Sequence, residues 1–150
     1  NVTGTLATGN GGTGATSFSP GKVLQLVQHT FTTEQNYNNS SYEASFITGA
    51  ITPSAASSKI FITVDTANSY SKGRIYRGTT GIGSEIHYDR LDSSGNSIYR
   101  YMPISLNYLD SPNTTSATTY TFYRLKQGGG LGYIGINTTL STLTLMEIGA

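Results

Sequence analysis

Three ionisable side chains stand at alternate positions near the middle of the chain, and they are the first candidates for chemistry. Glu85, His87 and Asp89 lie in the segment EIHYD, and in a β-strand this spacing places all three on one face. Such a set can ligate a divalent metal or orient a proton shuttle. The simpler interpretation, a solvated polar strand face, is the one we favour.

The other residue types with catalytic potential form no recognisable active-site motif. Nothing among the eight Asp and Glu residues selects the carboxylate pair that a glycosidase holds about 5–9.5 Å apart. The 41 Ser and Thr residues include no nucleophile elbow of the G-x-S-x-G type. The glycine-rich segments 78–83 and 128–130 lack the lysine and following helix of a phosphate-binding loop. We therefore predict no catalytic residues, no metal site and no cofactor, and thus a protein that is not an enzyme.

Tyrosines in polar segments give a stronger indication of function. The chain has 11 Tyr and no Trp, and tyrosine combines an apolar ring face with a hydrogen-bonding hydroxyl, which suits a wet recognition surface. We predict a shallow receptor-binding surface formed by the loop at 36–42 and the hairpin at 87–101, where Tyr, Asn, His and Arg are densest. Its candidate residues are Tyr37, Asn38, Asn39, His87, Tyr88, Arg90, Asn96, Tyr99, Arg100 and Tyr101.

Charge and composition exclude several classes of protein. The net charge is +1 and only 11% of the residues are charged, which argues against nucleic-acid binding. The chain contains no cysteine and therefore no disulfide or thiolate metal site. No apolar run approaches the roughly 20 residues needed to span a bilayer, and we expect no membrane insertion.

Apolar residues recur with a period of two, which indicates an all-β fold. From residue 59 to 65, Ile60, Ile62 and Val64 alternate with polar residues, and only Phe61 is out of phase. Pro103 lacks an N–H, so its strand is expected at a sheet edge or at a bulge. Eight or nine short strands separated by turn residues predict an antiparallel, jelly-roll-like β-sandwich. The last strand is apolar on both sides, so it either carries a bulge or needs a partner subunit over its outer face.

Residues 1–21 differ from the rest of the chain. They contain six glycines, with only Val2, Leu6 and Phe18 as sizeable apolar residues, too few to fold alone. The segment is either a linker or the end of a fibrous stalk that is ordered by winding with sister chains. We accordingly divide the chain into residues 1–21 and a β-sandwich domain at 22–150.

Four segments resemble the tip region of bacteriophage tail fibres, especially those of phages of marine bacteria. Residues 9–16 (GNGGTGAT) resemble a motif that recurs in the fibre shaft, and residues 21–28 (GKVLQLVQ) resemble the start of the tip domain. Residues 108–120 (YLDSPNTTSATTY) and 143–148 (LTLMEI) are similar to a late motif and to the ending of that domain.

This resemblance implies a homotrimeric fibre tip on the virion. Such a tip acts outside the host cell and attaches to a bacterial surface polysaccharide or outer-membrane protein. The resemblance carries over no receptor site, because the receptor-binding loops vary among members of the family, and residues 87–101 match none of the family's motifs. Two alternatives remain open: a small glycan depolymerase or esterase at a fibre end, and a secreted carbohydrate-binding module.

Overall fold

The computed structural model describes residues 21–69, 71–88, 102–126, 131–135 and 139–149, and within them every regular element is a β-strand. No helix long and apolar enough to cross a membrane occurs in this part of the chain. The predicted all-β class is confirmed. The strands are β1 (Val23–Phe31), β2 (Gln35–Tyr37), β3 (Glu43–Ile51), β4 (Lys59–Ser69), β5 (Ser71–Arg77), β6 (Thr80–Tyr88), β7 (Met102–Asp110), β8 (Thr118–Lys126), β9 (Gly132–Ile134) and β10 (Ser141–Ile148).

The strands form two antiparallel sheets. Sheet A has β1, β10, β4 and β7 side by side, and the short strands β9 and β2 extend it beside the last residues of β4. Sheet B has the order β3-β8-β5-β6. Among the described residues β7 pairs only with β4, so Pro103 lies on an edge strand, one of the two positions predicted from its missing N–H.

Alternating side chains from both sheets build one apolar core. In β4, Ile60, Ile62 and Val64 are fully buried, which confirms the period of two predicted there. Sheet B contributes Tyr120 and Phe122 to the same cluster. Each such side chain adds about 1.5–3 kcal/mol on burial, so the alternation fixes which face of each sheet turns inward.

The two ends of the sheets are distinct. We call one the base, because the described chain enters there at Gly21 and ends there, with Gly149 N donating to Lys22 O at 2.8 Å. The opposite end, the distal end, carries the loop 38–42 and the last residues of β6 and β8. Apart from Gly21, the segment predicted to be shaft or linker lies outside the described residues.

β3 departs from simple alternation. The sequence predicts Tyr42, Ala44 and Phe46 on one face, but a register shift against β8 falls between Ala44 and Thr48. As a result Ala44 is exposed, whereas Phe46 packs against the core. The hydroxyl of Ser45 donates to Phe122 O at 2.6 Å and accepts from Ile47 N at 3.1 Å, so it satisfies backbone groups at the irregularity.

The final strand, β10, which is apolar on both faces, contains no bulge against β4. β10 pairs with β4 from Thr142 to Ile148 without a shift in register. Leu143 and Leu145 lie in the core, whereas Met146 and Ile148 lie on the outer face of sheet A. The irregularity lies in the neighbouring strand β1, between Val23 and Gln25. Of the two alternatives left open by the sequence, a bulge in this strand is therefore excluded.

Candidate functional site

Both segments that the sequence selects for recognition lead to the distal end of sheet B. Ser71 in β5 pairs with Lys126 on one side and with Tyr88 on the other. The backbone N of Lys126 in turn donates to Asn39 O at 2.7 Å. The loop 38–42 and the end of β6 therefore lie on the same end of one sheet, opposite Gly21.

Tyr37 is not part of this surface, which corrects the sequence prediction. The side chain is only 4% exposed, and its hydroxyl donates to Asn68 Oδ1 at 2.8 Å. The Arg124 guanidinium lies 4.5 Å from the ring centroid, and a Cβ at Gly132 would collide with the ring. Burial raises the pKa of Tyr37 to about 12. A ring enclosed in this way packs the distal end and offers no face for a sugar.

Asn38 and Asn39 are exposed, and the structure gives each a defined role in the loop. Lys126 Nζ donates to Asn38 Oδ1 at 2.7 Å. Asn39 Oδ1 accepts from Ser41 N at 2.9 Å, an Asx turn that fixes the loop locally. Asn38 and Lys126 thus present an amide and an ammonium group together at the distal end.

Glu85 and His87 lie together on the outer face of β6, as their spacing predicts. His87 Nε2 is 2.6 Å from Glu85 Oε1, and Lys72 Nζ on the neighbouring strand is 3.1 Å from the same oxygen. His87 is exposed, whereas Lys72 and Glu85 are partly covered. Asp89, the third member of the predicted set, lies outside the described residues.

Three tyrosines stand beside this ionic group. The rings of Tyr76 and Tyr123 stack with centroids 4.0 Å apart and an interplanar angle of 20°. Tyr42 tilts against Tyr76 at 5.8 Å, and its hydroxyl donates to Glu85 Oε2. All three side chains are partly exposed. We call Tyr42, Tyr76 and Tyr123 the tyrosine cluster, and its outward position on sheet B makes it an aromatic platform.

The surroundings of Glu85 and Tyr42 determine the protonation states of these two side chains. The bond from Tyr42, together with Lys72, lowers the pKa of Glu85, which is therefore a carboxylate at neutral pH. Burial, followed by the bond to Glu85, raises the pKa of Tyr42, which therefore keeps its proton. The site thus combines aromatic faces with a fixed negative charge, a neighbouring ammonium group and an exposed imidazole. Such groups orient a polar ligand by hydrogen bonds and hold its ring by stacking.

The remaining predicted recognition residues cannot be placed. The side chain of Tyr88, together with Arg90, Asn96, Tyr99, Arg100 and Tyr101, lies outside the described residues. The chain leaves the described part at Tyr88 and returns at Met102 in β7, which pairs with Asn68 near the distal end of β4.

Two buried carboxylates that are candidates for catalysis by residue type are engaged in the fold. Asp110 accepts from Arg77 Nη1 at 2.9 and 3.0 Å and from the Tyr120 hydroxyl at 2.8 Å. Glu147 accepts from Gln25 Nε2 at 2.6 Å and from the backbone N of Ser54 at 2.7 Å. In the part of the chain that is described, no three His, Asp or Glu residues are close enough together to hold a metal ion.

A small cleft lies between β6 and β7. Its volume is about 260 Å³, and its walls include Ile82, Ile86 and Leu106, with Ser84 and Tyr108 among its polar residues. Small-molecule sites usually measure about 300–1,000 Å³, so this cleft admits only a small group. It adjoins Glu85 in sequence through Ser84.

Sequence reasoning included Tyr42 in the predicted loop 36–42 but missed Tyr76 and Tyr123, because both lie inside strands. The available signal was parity: Tyr76 follows the buried Ile75, and Tyr123 follows the buried Phe122. A tyrosine out of phase with the core residues of its strand points outward. The strand order β8-β5-β6 places Tyr76 in β5 between the strands that carry Tyr123 and Glu85. No local sequence pattern encodes this order.

No protein-family model matches the chain, and no curated protein is significantly similar to it.

Proposed function

We propose that the protein is the host-binding tip of a bacteriophage tail fibre, a homotrimer that attaches the virion to a bacterial surface glycan without chemical turnover. The fibre assignment rests on the resemblance of residues 9–16, 21–28, 108–120 and 143–148 to segments of such tips. The site assignment rests on the geometry of sheet B.

The observation that carries the binding function is the aromatic platform on the outer face of sheet B, which extends from Tyr42 beside the distal loop to Tyr76 near the base end of β5. Tyr76 and Tyr123 stack within 4.0 Å, and Tyr42 links them to the charged group at Glu85. Sugars present apolar C–H faces and a rim of hydroxyls, and they therefore fit tyrosine rings flanked by hydrogen-bonding side chains. The platform therefore lies on the side of the domain formed by sheet B and reaches the distal loop through Tyr42.

We also infer a jelly-roll topology from the strand pairing. If the short strands β2 and β9 are set aside, eight strands remain. In chain order, the first of them pairs with the eighth (β1 and β10), the second with the seventh (β3 and β8), the third with the sixth (β4 and β7) and the fourth with the fifth (β5 and β6). A strip of paired strands wound into two sheets gives this nested order, which is that of a double Greek key.

A shallow site of this kind suits attachment through several weak contacts. One site binding near 1 mM supplies about −4.1 kcal/mol. Three sites on one tip raise the effective affinity by about 10²–10⁴ if the surface glycan engages them together. Weak binding by one subunit is therefore compatible with firm adhesion by a virion.

The test measures adhesion of the fluorescently labelled 150-residue protein to a panel of bacterial strains. The cells are used untreated, after periodate oxidation of their glycans, and after protease treatment. We expect binding that periodate removes and protease leaves. We expect the double variant Tyr76→Ala/Tyr123→Ala to bind at least about tenfold more weakly, because both ring faces are lost.

The matched control is Tyr76→Phe/Tyr123→Phe, which keeps both rings and should retain most of the binding. Lys22→Ala removes an exposed charge at the base and should have no effect. Unchanged adhesion by the folded alanine variant would refute this site, and loss of binding after protease alone would refute a glycan receptor. Release of reducing ends or acyl groups from the glycan would favour the depolymerase or esterase alternative instead.

A further inference from the structure

The outer face of sheet A carries a continuous row of apolar side chains. Leu26 pairs with Met146, Met146 with Phe61, and Phe61 with Leu109, so one residue from each of β1, β10, β4 and β7 stands at the same level. We call these four residues the apolar row. Leu26 is 60% exposed and Leu109 is 46% exposed. The row explains why Phe61 is out of phase with the core residues of its strand.

The apolar surface continues from this row towards the base. Ile148 lies two residues beyond Met146 on the same face of β10, and Val23 pairs with it. Val23 and Leu24 are both strongly exposed. Soluble monomers rarely leave contiguous apolar patches of more than a few hundred Å² open to water, so this surface is suited to an interface.

The next level of the same face, on the distal side of the apolar row, is polar. Gln28, Thr144, Thr63 and Asn107 stand side by side at the next level, and Gln28 Nε2 donates to Thr144 Oγ1 at 3.0 Å. These side chains are polar but uncharged. A partner covering the apolar row therefore meets no charge at this level, which keeps the desolvation cost low there. On the base side Lys59 pairs with Ile148 on the same face, and its long stem can keep the ammonium group in water.

The position of the patch indicates what covers it. Gly21 lies against Ile148, because a Cβ at Gly21 would be 3.2 Å from Ile148 Cγ2. The twenty residues before Gly21 thus join the domain beside the patch. They contain only three sizeable apolar residues, Val2, Leu6 and Phe18. Three side chains are too few to cover the seven apolar residues of the patch, which are the apolar row together with Ile148, Val23 and Leu24. Further copies of the chain, each bringing the same apolar row, match the surface better.

We propose that the outer face of sheet A at the base is the surface through which three copies of this chain associate in parallel. In a parallel arrangement about a three-fold axis, each apolar row meets the others at one level, and all three Gly21 residues lie at the same end. The number three rests on the proposed function, whereas the choice of surface rests on the apolar patch alone.

The test determines the mass of the protein at micromolar concentration by native mass spectrometry and sedimentation equilibrium. One chain has a mass of 16.0 kDa, so the expected assembly is three times that mass. Leu26→Glu places a charge in the apolar row and should raise the dissociation constant at least about 100-fold, because the buried carboxylate lacks a partner. Leu140→Glu is the matched control, since Leu140 is 57% exposed but lies next to the distal start of β10.

A second experiment tests the same surface by cross-linking, without introducing a charge into the apolar row. The chain has no cysteine, so Thr63→Cys on the outer face of sheet A provides a single thiol next to the row. A short bismaleimide should join copies through Thr63→Cys and not through Thr119→Cys, which is exposed on sheet B.

The outcomes separate this inference from the proposed function. A folded Leu26→Glu variant that keeps the mass of three chains, or equal cross-linking at both cysteines, would refute the surface and leave the trimer intact. A wild-type dimer would refute the three-fold arrangement. A wild-type monomer would refute both the surface and the trimer, while adhesion by the tyrosine cluster would still be decided by its own variants.

Discussion

Glu147 offers a direct test of how the base of the domain is held together. Its carboxylate is fully buried and accepts hydrogen bonds from Gln25 Nε2, Ser54 N and Ser54 Oγ at 2.6–2.7 Å. Burial alone would raise the pKa of Glu147, but the hydrogen bonds outweigh it and lower the pKa from 4.5 to about 2. At about 1.36 kcal/mol per unit, the ionised group contributes about 3 kcal/mol to the free energy of unfolding at neutral pH.

The sign of the pH dependence follows from the lowered pKa. The stabilisation is complete above the unfolded-state pKa of about 4.5 and is lost as the pH falls towards the folded-state value of about 2. Glu147→Gln removes this titration and turns an amide donor towards Gln25 or Ser54. We therefore expect the variant to lose about 2–3 kcal/mol at pH 7 and progressively less below pH 4.

The assay is urea unfolding from pH 7 to pH 2.5, followed by tyrosine fluorescence at one protein concentration, since association alters apparent stability. Asp65→Asn is the control, because it removes one carboxylate from an exposed position on β4. An equal loss of stability for Glu147→Gln at pH 7 and pH 2.5 would refute the argument. So would a variant that is as stable as the wild type at pH 7.

Two further predictions concern the framework. Tyr120→Phe removes the 2.8 Å hydrogen bond to Asp110 and should lower the free energy of unfolding by about 1.5–3 kcal/mol in urea titrations; a neutral effect would mean that Arg77 alone satisfies the carboxylate. Gly78 and Gly135 both have positive φ, but a Cβ at Gly78 meets nothing within 4 Å, whereas one at Gly135 would lie 2.3 Å from Thr33 O. Gly78→Ala should therefore cost about 1–2 kcal/mol and Gly135→Ala clearly more, and equal losses in thermal unfolding would contradict the steric argument.

Local sequence patterns predicted the strands well where one face is buried. The alternation of Ile60, Ile62 and Val64 identified β4, and the missing N–H of Pro103 identified an edge strand. The glycine-rich segment 78–83 is mostly strand, because the turn ends at Thr79 and β6 begins at Thr80. Glycines at 81 and 83 are tolerated inside β6, where side chains of Tyr76 and Tyr108 pack close to their backbones.

The recognition surface was predicted less well, because composition does not distinguish a buried tyrosine from an exposed one. Tyr37 sits in a polar segment but is enclosed by Arg124 and Gly132, which come from distant parts of the chain. Tyr123 follows the buried Phe122 in β8 and points outward. Only the pairing of β5 with β8 brings it against Tyr76, and that pairing depends on long-range topology.

Several residues in the segments that resemble phage fibres are hydrogen-bonded inside the fold, whereas the candidate site lies on the outer face of sheet B. Asp110 and Tyr120 belong to the segment 108–120, and Glu147 belongs to the segment 143–148; all three side chains are hydrogen-bonded within the half of the domain nearer Gly21. These motifs are therefore requirements of the fold, because each buried carboxylate needs its partners. The tyrosine cluster satisfies no such requirement, since its rings lie on an outer face. Such buried residues can thus indicate a fold, whereas the proposed binding function must be inferred from the outward-facing side chains of sheet B.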